Sequence, residues 1–398
     1  MNLSSPPRVG FTLIGGKKWT GGYNYLINLF TILSIEMSDS LFPFLFVGND
    51  VPEADLLPFH RIPGCAVIRD PAFNSDKRSG VLLRSVFLGL DPAINRALQK
   101  AKIDVVFESG IFLGWRFKLP AIAWIPDLQH RFLPHLFGKI AWARRELGFR
   151  LQIWSDRIIM CSSQDTLENI ERIYPSAKDR VSAVRFAIKS PELVSNAIAR
   201  AVADRHGFPV QYFFMPNQFW AHKNHRLVLD ALKILSNRGI LCVIVASGQQ
   251  SDPRDEHYAP SLLADIQNAG LQKTFLTPGL LPYDDLPFLM QASDALINPS
   301  LFEGWSTTVE EAKAAGIPMI LSDIPVHREQ AGKEAIYFNP NSPEALADAL
   351  MNFSLLGKNK KMQRDISGGS GAKRSREFAC DFFNIVESAI GKNSKEST

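Results

Sequence analysis

The chain lacks the features that mark several large protein classes. Its four cysteines, Cys65, Cys161, Cys242 and Cys380, form no C-x-x-C pair. Each lies in or near an apolar stretch, which reads as buried free thiols and indicates neither a disulfide framework nor a zinc site. No stretch approaches the roughly 18 uncharged apolar residues that a membrane span needs, and Met1 to Pro7 has no secretory-leader pattern, so a cytoplasmic location is expected. No G-x-G-x-x-G follows a strand, and no acidic residue closes a second strand at the proper interval, which argues against a nicotinamide cofactor. No D-x-D ends a strand, so no essential metal is expected. Tyr283-Asp284-Asp285-Leu286 reads instead as the N-cap and acidic first turn of a helix.

A large excess of one sign of charge is also lacking, since the net charge is only +4, and no nucleic-acid partner is expected. It is unevenly placed, however. Up to Ser190 the chain carries 24 of its 44 basic and 17 of its 40 acidic residues, leaving 20 and 23 beyond. Lys139, Arg144, Arg145 and Arg150 fall on one apparent helix with Ile140, Trp142, Leu147, Phe149 and Leu151. Two readings stand: a surface that meets anionic lipid at the inner membrane face, and an ordinary solvated helix face.

What is present is ample material for packed cores, with 398 residues and 46% hydrophobic content. The length predicts two to three domains. The most informative stretch runs from Asn298 to Gly316. Apolar runs of strand length flank it at 294–298 and 317–322, and Thr307 to Ala315 has the composition of a helix that Gly316 stops. Such a strand–loop–helix–strand unit puts its loop at the carboxyl edge of a parallel sheet, where doubly wound folds bind ligands. Ser306, Thr307 and Thr308 sit where unbonded helix N–H groups attract an anion. Glu303 and Glu311 flank that anion site. A ligand with a charged middle and hydroxyl-rich ends, such as a sugar nucleotide, suits both signs of charge. The competing reading is structural: Thr307-x-x-Glu310 and Thr308-x-x-Glu311 both fit a capping box.

Glu303, seven intervening residues and Glu311-Ala, with Gly304 between and Gly316 after, resemble the E-x7-E signature of the retaining group 1 glycosyltransferases (family 4). The resemblance implies an α/β GT-B fold, two Rossmann-like domains with parallel sheets facing across a cleft. It implies that Glu303 contacts the donor sugar, that Glu311 contacts the nucleotide ribose, and that Trp305, Ser306 and Thr307 present amides to sugar and diphosphate. It makes Lys223 the cation on the departing diphosphate. The family's Arg five positions earlier is here Gln218, beside Asn217, and both can donate only neutral hydrogen bonds. Gly21-Gly22 correspond to a first-loop Gly-Gly pair near diphosphate and acceptor, and Gly248 to a second Gly-bearing turn. The segment Leu276 to Leu280 corresponds to the part that lies against the base. Asp127 matches the family's acceptor-side position, whereas Pro126 stands where a His is usual and His130 is a candidate to replace it.

Alternation of strands and helices along the whole chain supports the same class. The expected division is an acceptor domain over 1–195, a donor domain over 196–372, a helix crossing back over 373–390 and a disordered tail over 391–398. Residues 189–209 read as linker, the polar run from Gln249 to Tyr258 as a surface insertion, and Gly357 to Gly371 as a turn. The function expected is transfer of a sugar, with retention, from a nucleotide-sugar donor to a glycan or lipid-linked acceptor in cell-surface polysaccharide synthesis, without a cofactor. Two rivals remain: a sugar-nucleotide-binding protein without catalysis, and a glycoside hydrolase using Glu303 and Glu311.

Overall fold

The computed structural model describes residues 5–13, 16–18, 20–109, 111–189, 191, 194–357 and 368–396. The chain forms two compact units. Unit 1 comprises residues 1–128, 139–189 and 372–398, and unit 2 comprises 129–138 and 190–371.

Unit 1 is built on a seven-stranded parallel sheet of order β3-β2-β1-β4-β5-β6-β7. The strands are β1 (Arg8–Leu13), β2 (Phe42–Val47), β3 (Ala66–Arg69), β4 (Val105–Glu108), β5 (Ala121–Trp124), β6 (Ile158–Cys161) and β7 (Val181–Ala183). Val105, Val106 and Phe107 in β4, like Ala121 to Trp124 in β5, are buried in succession. Helices on both faces require such unbroken apolar runs. β1 pairs with both β2 and β4, so the strand order reverses there and the carboxyl ends of β1 and β4 flank a ligand-binding position for this topology. The ring of Phe11 lies 4.6 Å from Phe30 and 5.9 Å from Phe382. Phe382, with Phe378 and Val386, is the buried side of the long helix Gly368–Glu396, which joins unit 1 from residue 372. That helix continues through residues 391–396, which the sequence reading assigned to a tail. Lys392 Nζ donates to the Asp156 carbonyl at 2.9 Å and so ties this end of the helix down. Most of the turn expected over 357–371 lies outside the described residues.

Unit 2 holds a six-stranded parallel sheet of order β10-β9-β8-β11-β12-β13. Its strands are β8 (Phe213–Pro216), β9 (Ile244–Ser247), β10 (Phe275–Gly279), β11 (Ala295–Asn298), β12 (Met319–Ser322) and β13 (Ala335–Phe338). Alternation along β8 sends Phe213 and Met215 into one core and Phe214 into another. The first core packs the helix His225–Asn237 through Val228, Leu232 and Leu235. The second packs the helix Thr307–Ala314 through Val309 and Ala312. Residues 196–205, read from sequence as part of a linker, are a helix, Asn196–Arg205, with Ser195 Oγ accepting from the Ile198 amide. Val202 and Ala203 are buried in the second core and tie this segment to unit 2. Among the described residues no helix is long and apolar enough to cross a membrane.

On the basic helix Lys139–Trp154 of unit 1, Ile140, Leu147 and Trp154 are exposed, together with Arg144 and Arg150. Phe149 is buried and Arg145 binds Asp127, so only part of the expected face is open.

Candidate active site

All strands of unit 2 are parallel, so the loops after β8, β9, β10, β11 and β12 emerge at one edge. The order reverses between β8 and β11, and the two residues with the sharpest functional assignment come from the loops after these two strands. Lys223, ending the 3-10 turn Ala221–Lys223, donates from Nζ to Glu303 Oε1 at 2.5 Å. Both side chains are mostly shielded, at 14% and 9% exposure. Backbone bonds hold the two loops together: the Leu301 amide donates to the His222 carbonyl at 2.8 Å. Asn224, in the left-handed conformation with φ 59°, donates from Nδ2 to the carbonyls of Pro299 and Pro340. Asparagine tolerates that backbone region better than most residues, which is how the chain turns from Lys223 into the next helix.

The loop carrying Glu303 is fixed from beneath. Asn298, fully buried, accepts from Ser300 and donates to Ser306 Oγ at 2.9 Å. Gln330 clamps the Ser306 peptide from both sides, accepting from its N–H at 2.9 Å and donating to its carbonyl at 3.0 Å. This corrects the sequence expectation for Ser306: its amide is taken by a side chain and is not offered to a ligand. Thr307 begins the helix, and Gly304 is buried in the loop. Neither capping box forms. Ser306 is the N-cap, without a side-chain cap bond, and Glu310 accepts from Gln330 Nε2 at 3.1 Å. Glu311 is thereby separated from Glu310 in role: its carboxyl is pushed up to about 7 by desolvation. Its charge also helps raise the phenol of Tyr283, after desolvation as the larger cause, so these two residues are neighbours.

The remaining assigned residues of unit 2 follow β8, β9 and β10 on the same edge of the sheet. Asn217 is buried and its Nδ2 has no hydrogen-bond partner, so a donor stands ready beside the end of β8. Gln218 Oε1 accepts from the Gln249 amide at 2.9 Å, coupling the loops after β8 and β9. Gly248, at φ 153°, is required by a close backbone approach, since a Cβ there would sit 2.4 Å from the Asn217 carbonyl oxygen. Leu280 is 74% exposed after β10, an uncovered apolar group on the same edge.

The residues assigned on the acceptor side divide between the units. Gly21 and Gly22 do not form a loop but the first turn of the helix Thr20–Glu36. Asp127 follows β5 and accepts from Arg145 Nη2 at 2.7 Å. His130 belongs to unit 2, is fully buried, and has its ring 6.3 Å from that of Phe137, so it is not a loop histidine open to solvent.

The run expected to be a surface insertion is the part that sequence reasoning missed. Asp252 is buried, and its Oδ2 accepts from the Ala221 amide at 3.2 Å at the start of the Lys223 turn. Arg254 is held by both oxygens of Asp252, at 2.9 and 3.0 Å, and donates to His222 Nδ1 at 3.2 Å. Because a guanidinium only donates, that Nδ1 accepts and the imidazole is neutral. Burial, then the charges of Lys223 and Arg254, hold His222 well below the usual histidine range. His327, after β12, is likewise pushed down to about 4 by burial; Glu303 opposes this shift. Only the D-x-R spacing of Asp252 and Arg254, a common short-range pairing, signalled any of this in the sequence.

Residues 206–367 match the family model described as "Glycosyl transferases group 1". A crystal structure of Anabaena Alr3699/HepE in complex with UDP and glucose superposes with a TM-score of 0.66 at 16% identity, covering 98% of this chain and 99% of that one. A glycosyltransferase from Rickettsia africae gives 0.66 at 15% identity, covering 98% and 97%. The fold is GT-B. Among curated proteins, the O-antigen chain mannosyltransferase RfbU of Salmonella typhimurium is 23% identical over 232 residues, 58% of this chain and 60% of that protein. The O-antigen chain mannosyltransferase B of Escherichia coli is 22% identical over 282 residues, 69% and 71% respectively.

Proposed function

We propose that the protein is a retaining glycosyltransferase that takes a nucleotide sugar as donor and a glycan or lipid-linked molecule as acceptor, in synthesis of an O-antigen-like or lipopolysaccharide-like polysaccharide. The observation that carries this reading is the Lys223–Glu303 contact at the point where the unit 2 sheet reverses, with Glu311 on the helix that follows. In the reading, Lys223 leaves Glu303 for the donor's diphosphate, freeing the carboxylate to accept from the sugar hydroxyls, and Glu311 accepts from the ribose. Asn217 Nδ2 and the first helix turn at Thr307 supply further donors, and Leu280 borders the base. The bond between anomeric carbon and diphosphate oxygen breaks as the acceptor oxygen attacks from the same face. The diphosphate oxygen takes the acceptor proton, and the ammonium stabilises the charge that develops. Gly21, Gly22 and Asp127 in unit 1 are assigned to the acceptor. The mannosyltransferase names of the two O-antigen relatives, and UDP with glucose in the HepE structure, support the substrate classes. A glycoside hydrolase would need its two carboxyls facing one sugar, roughly 5 Å or 6.5–9.5 Å apart. An ammonium bound to one of them suits a phosphate ligand better.

The reading includes a peripheral contact with anionic membrane through unit 1. Trp154 and Phe87 are 69% and 76% exposed, Trp115 lies 6.5 Å from Trp154, and Trp115 Nε1 donates to the Val86 carbonyl beside Phe87. Trp154 lies one turn after Arg150 on the helix that also carries Arg144, and exposed aromatic rings with basic side chains are the chemistry of an interfacial surface. A thermal-shift screen of nucleoside diphosphates and nucleotide sugars tests the donor assignment, and stabilisation by none of them overturns it. Activity unchanged by a chelator tests the expectation of metal independence.

A further inference from the structure

The site has a deficit that the reading above leaves standing: position 218 supplies a neutral amide, and Lys223 is left as the one cation assigned to a diphosphate that carries at least two charges. Resting on that reading, we propose that Arg254 is the second cation of the donor's diphosphate site, delivered from the loop after β9 instead of from the loop after β8.

Three observations carry this. First, Arg254 is built into the Lys223 turn and does not merely lie near it. Its carboxylate partner Asp252 holds the Ala221 amide, and its own Nη2 reaches His222, the residue before Lys223. Secondly, the guanidinium is fixed in orientation: Asp252 grips Nε and Nη2, and Cζ lies 5.1 Å from the centre of the Trp220 ring and 5.6 Å from that of Phe137. A guanidinium held this way presents Nη1 in a fixed direction, unlike a free surface arginine. Thirdly, its remaining edge is occupied only by a neutral group. Nη1 donates to the amide oxygen of Gln129 at 2.8 Å, and the four bonds of the guanidinium leave one of its five N–H groups over. A phosphate oxygen is a charged acceptor and makes the stronger bond at that edge, so it displaces the Gln129 amide. The loops after β8 and β9 are also joined through Gln218 and Gln249, so position 218 abuts the loop that brings Arg254 in.

The test is nucleoside diphosphate affinity by calorimetry. Arg254→Ala strands the buried Asp252, so the informative variant is Asp252→Asn with Arg254→Gln, which removes both charges and keeps hydrogen-bonding groups at both places. The proposal expects this variant to bind the nucleoside diphosphate about 10- to 100-fold more weakly. It expects unchanged affinity for the phosphate-free nucleoside, and at least tenfold recovery when Gln218→Arg is added. A purely structural Arg254 gives equal losses for both ligands and no recovery from an arginine at position 218, and that result overturns the proposal. So does wild-type affinity in the folded variant. If the wild-type protein itself binds no nucleoside diphosphate, the glycosyltransferase reading falls and this inference with it; a loss confined to the variants separates the two.

Discussion

Lys223→Met removes the ammonium from a contact of 2.5 Å between two side chains that keep only 14% and 9% of their exposure. Two separate quantities follow. Breaking a fully buried pair by deleting one partner costs about 3–5 kcal/mol, and the residual solvent at Glu303 reduces that to roughly 2 kcal/mol of folding stability. Loss of a fixed donor to a developing negative charge costs about 2.7–4 kcal/mol in the transition state, or about 10²–10³ in kcat. Urea unfolding measures the first, and acceptor-dependent release of nucleoside diphosphate measures the second. Adding Glu303→Gln distinguishes them. The double variant regains stability, because no carboxylate is left unpaired, with a coupling of about 1–3 kcal/mol, whereas turnover stays low. Near-normal turnover of folded Lys223→Met refutes the role assigned to this lysine. Additive stability effects refute the pairing.

Glu311, raised to about 7 from an ordinary carboxyl value, binds its proton more tightly folded than unfolded, so it favours the native state at low pH and loses that contribution as pH rises from about 4.5 to about 7. Glu311→Gln removes about 1–3 kcal/mol of this downward slope in stability against pH, measured by denaturant titration at several pH values. Gln330→Ala, which strips two bonds from the buried Ser306 peptide, lowers stability by about 1–3 kcal/mol in urea unfolding and raises the donor KM. Gly248→Ala places a Cβ 2.4 Å from the Asn217 carbonyl oxygen at φ 153°, and lowers Tm by the equivalent of about 1–3 kcal/mol by calorimetry. Trp154→Ala with Arg150→Ala reduces co-flotation with vesicles containing anionic lipid; equal flotation of wild type and variant removes the membrane contact.

Much of the architecture is legible in the sequence because parallel strands buried on both faces must be short unbroken apolar runs. The strands before and after the Glu303 loop, Ala295–Asn298 and Met319–Ser322, fall inside runs that composition alone marks out. Local patterns mislead where a distant group decides. Thr307 and Thr308 precede Glu310 and Glu311 at capping-box spacing, yet Gln330, 24 residues beyond Ser306, takes the peptide that a cap would use. Gln249 to Tyr258 is polar enough to read as an insertion, but the bidentate contact with the half-buried Arg254 lets the Asp252 carboxylate enter the interior. The helix Asn196–Arg205 is rich in alanine and has only Ile198 and Val202 as larger apolar side chains, and burial of Val202 and Ala203 in the second core anchors it. His130 follows a strand of unit 1 and packs in unit 2, a consequence of tertiary structure with no local signal.

The account rests on a nucleotide sugar being held across the Lys223–Glu303 pair and its sugar passed to another molecule. The most direct measurement is the stoichiometry and anomeric configuration of product when purified protein is given a labelled nucleotide sugar with and without a glycan or lipid-linked acceptor. The account predicts one nucleoside diphosphate released per sugar transferred, only with acceptor, and with the donor's configuration kept. Free sugar released at the same rate without acceptor, or inverted product, contradicts it.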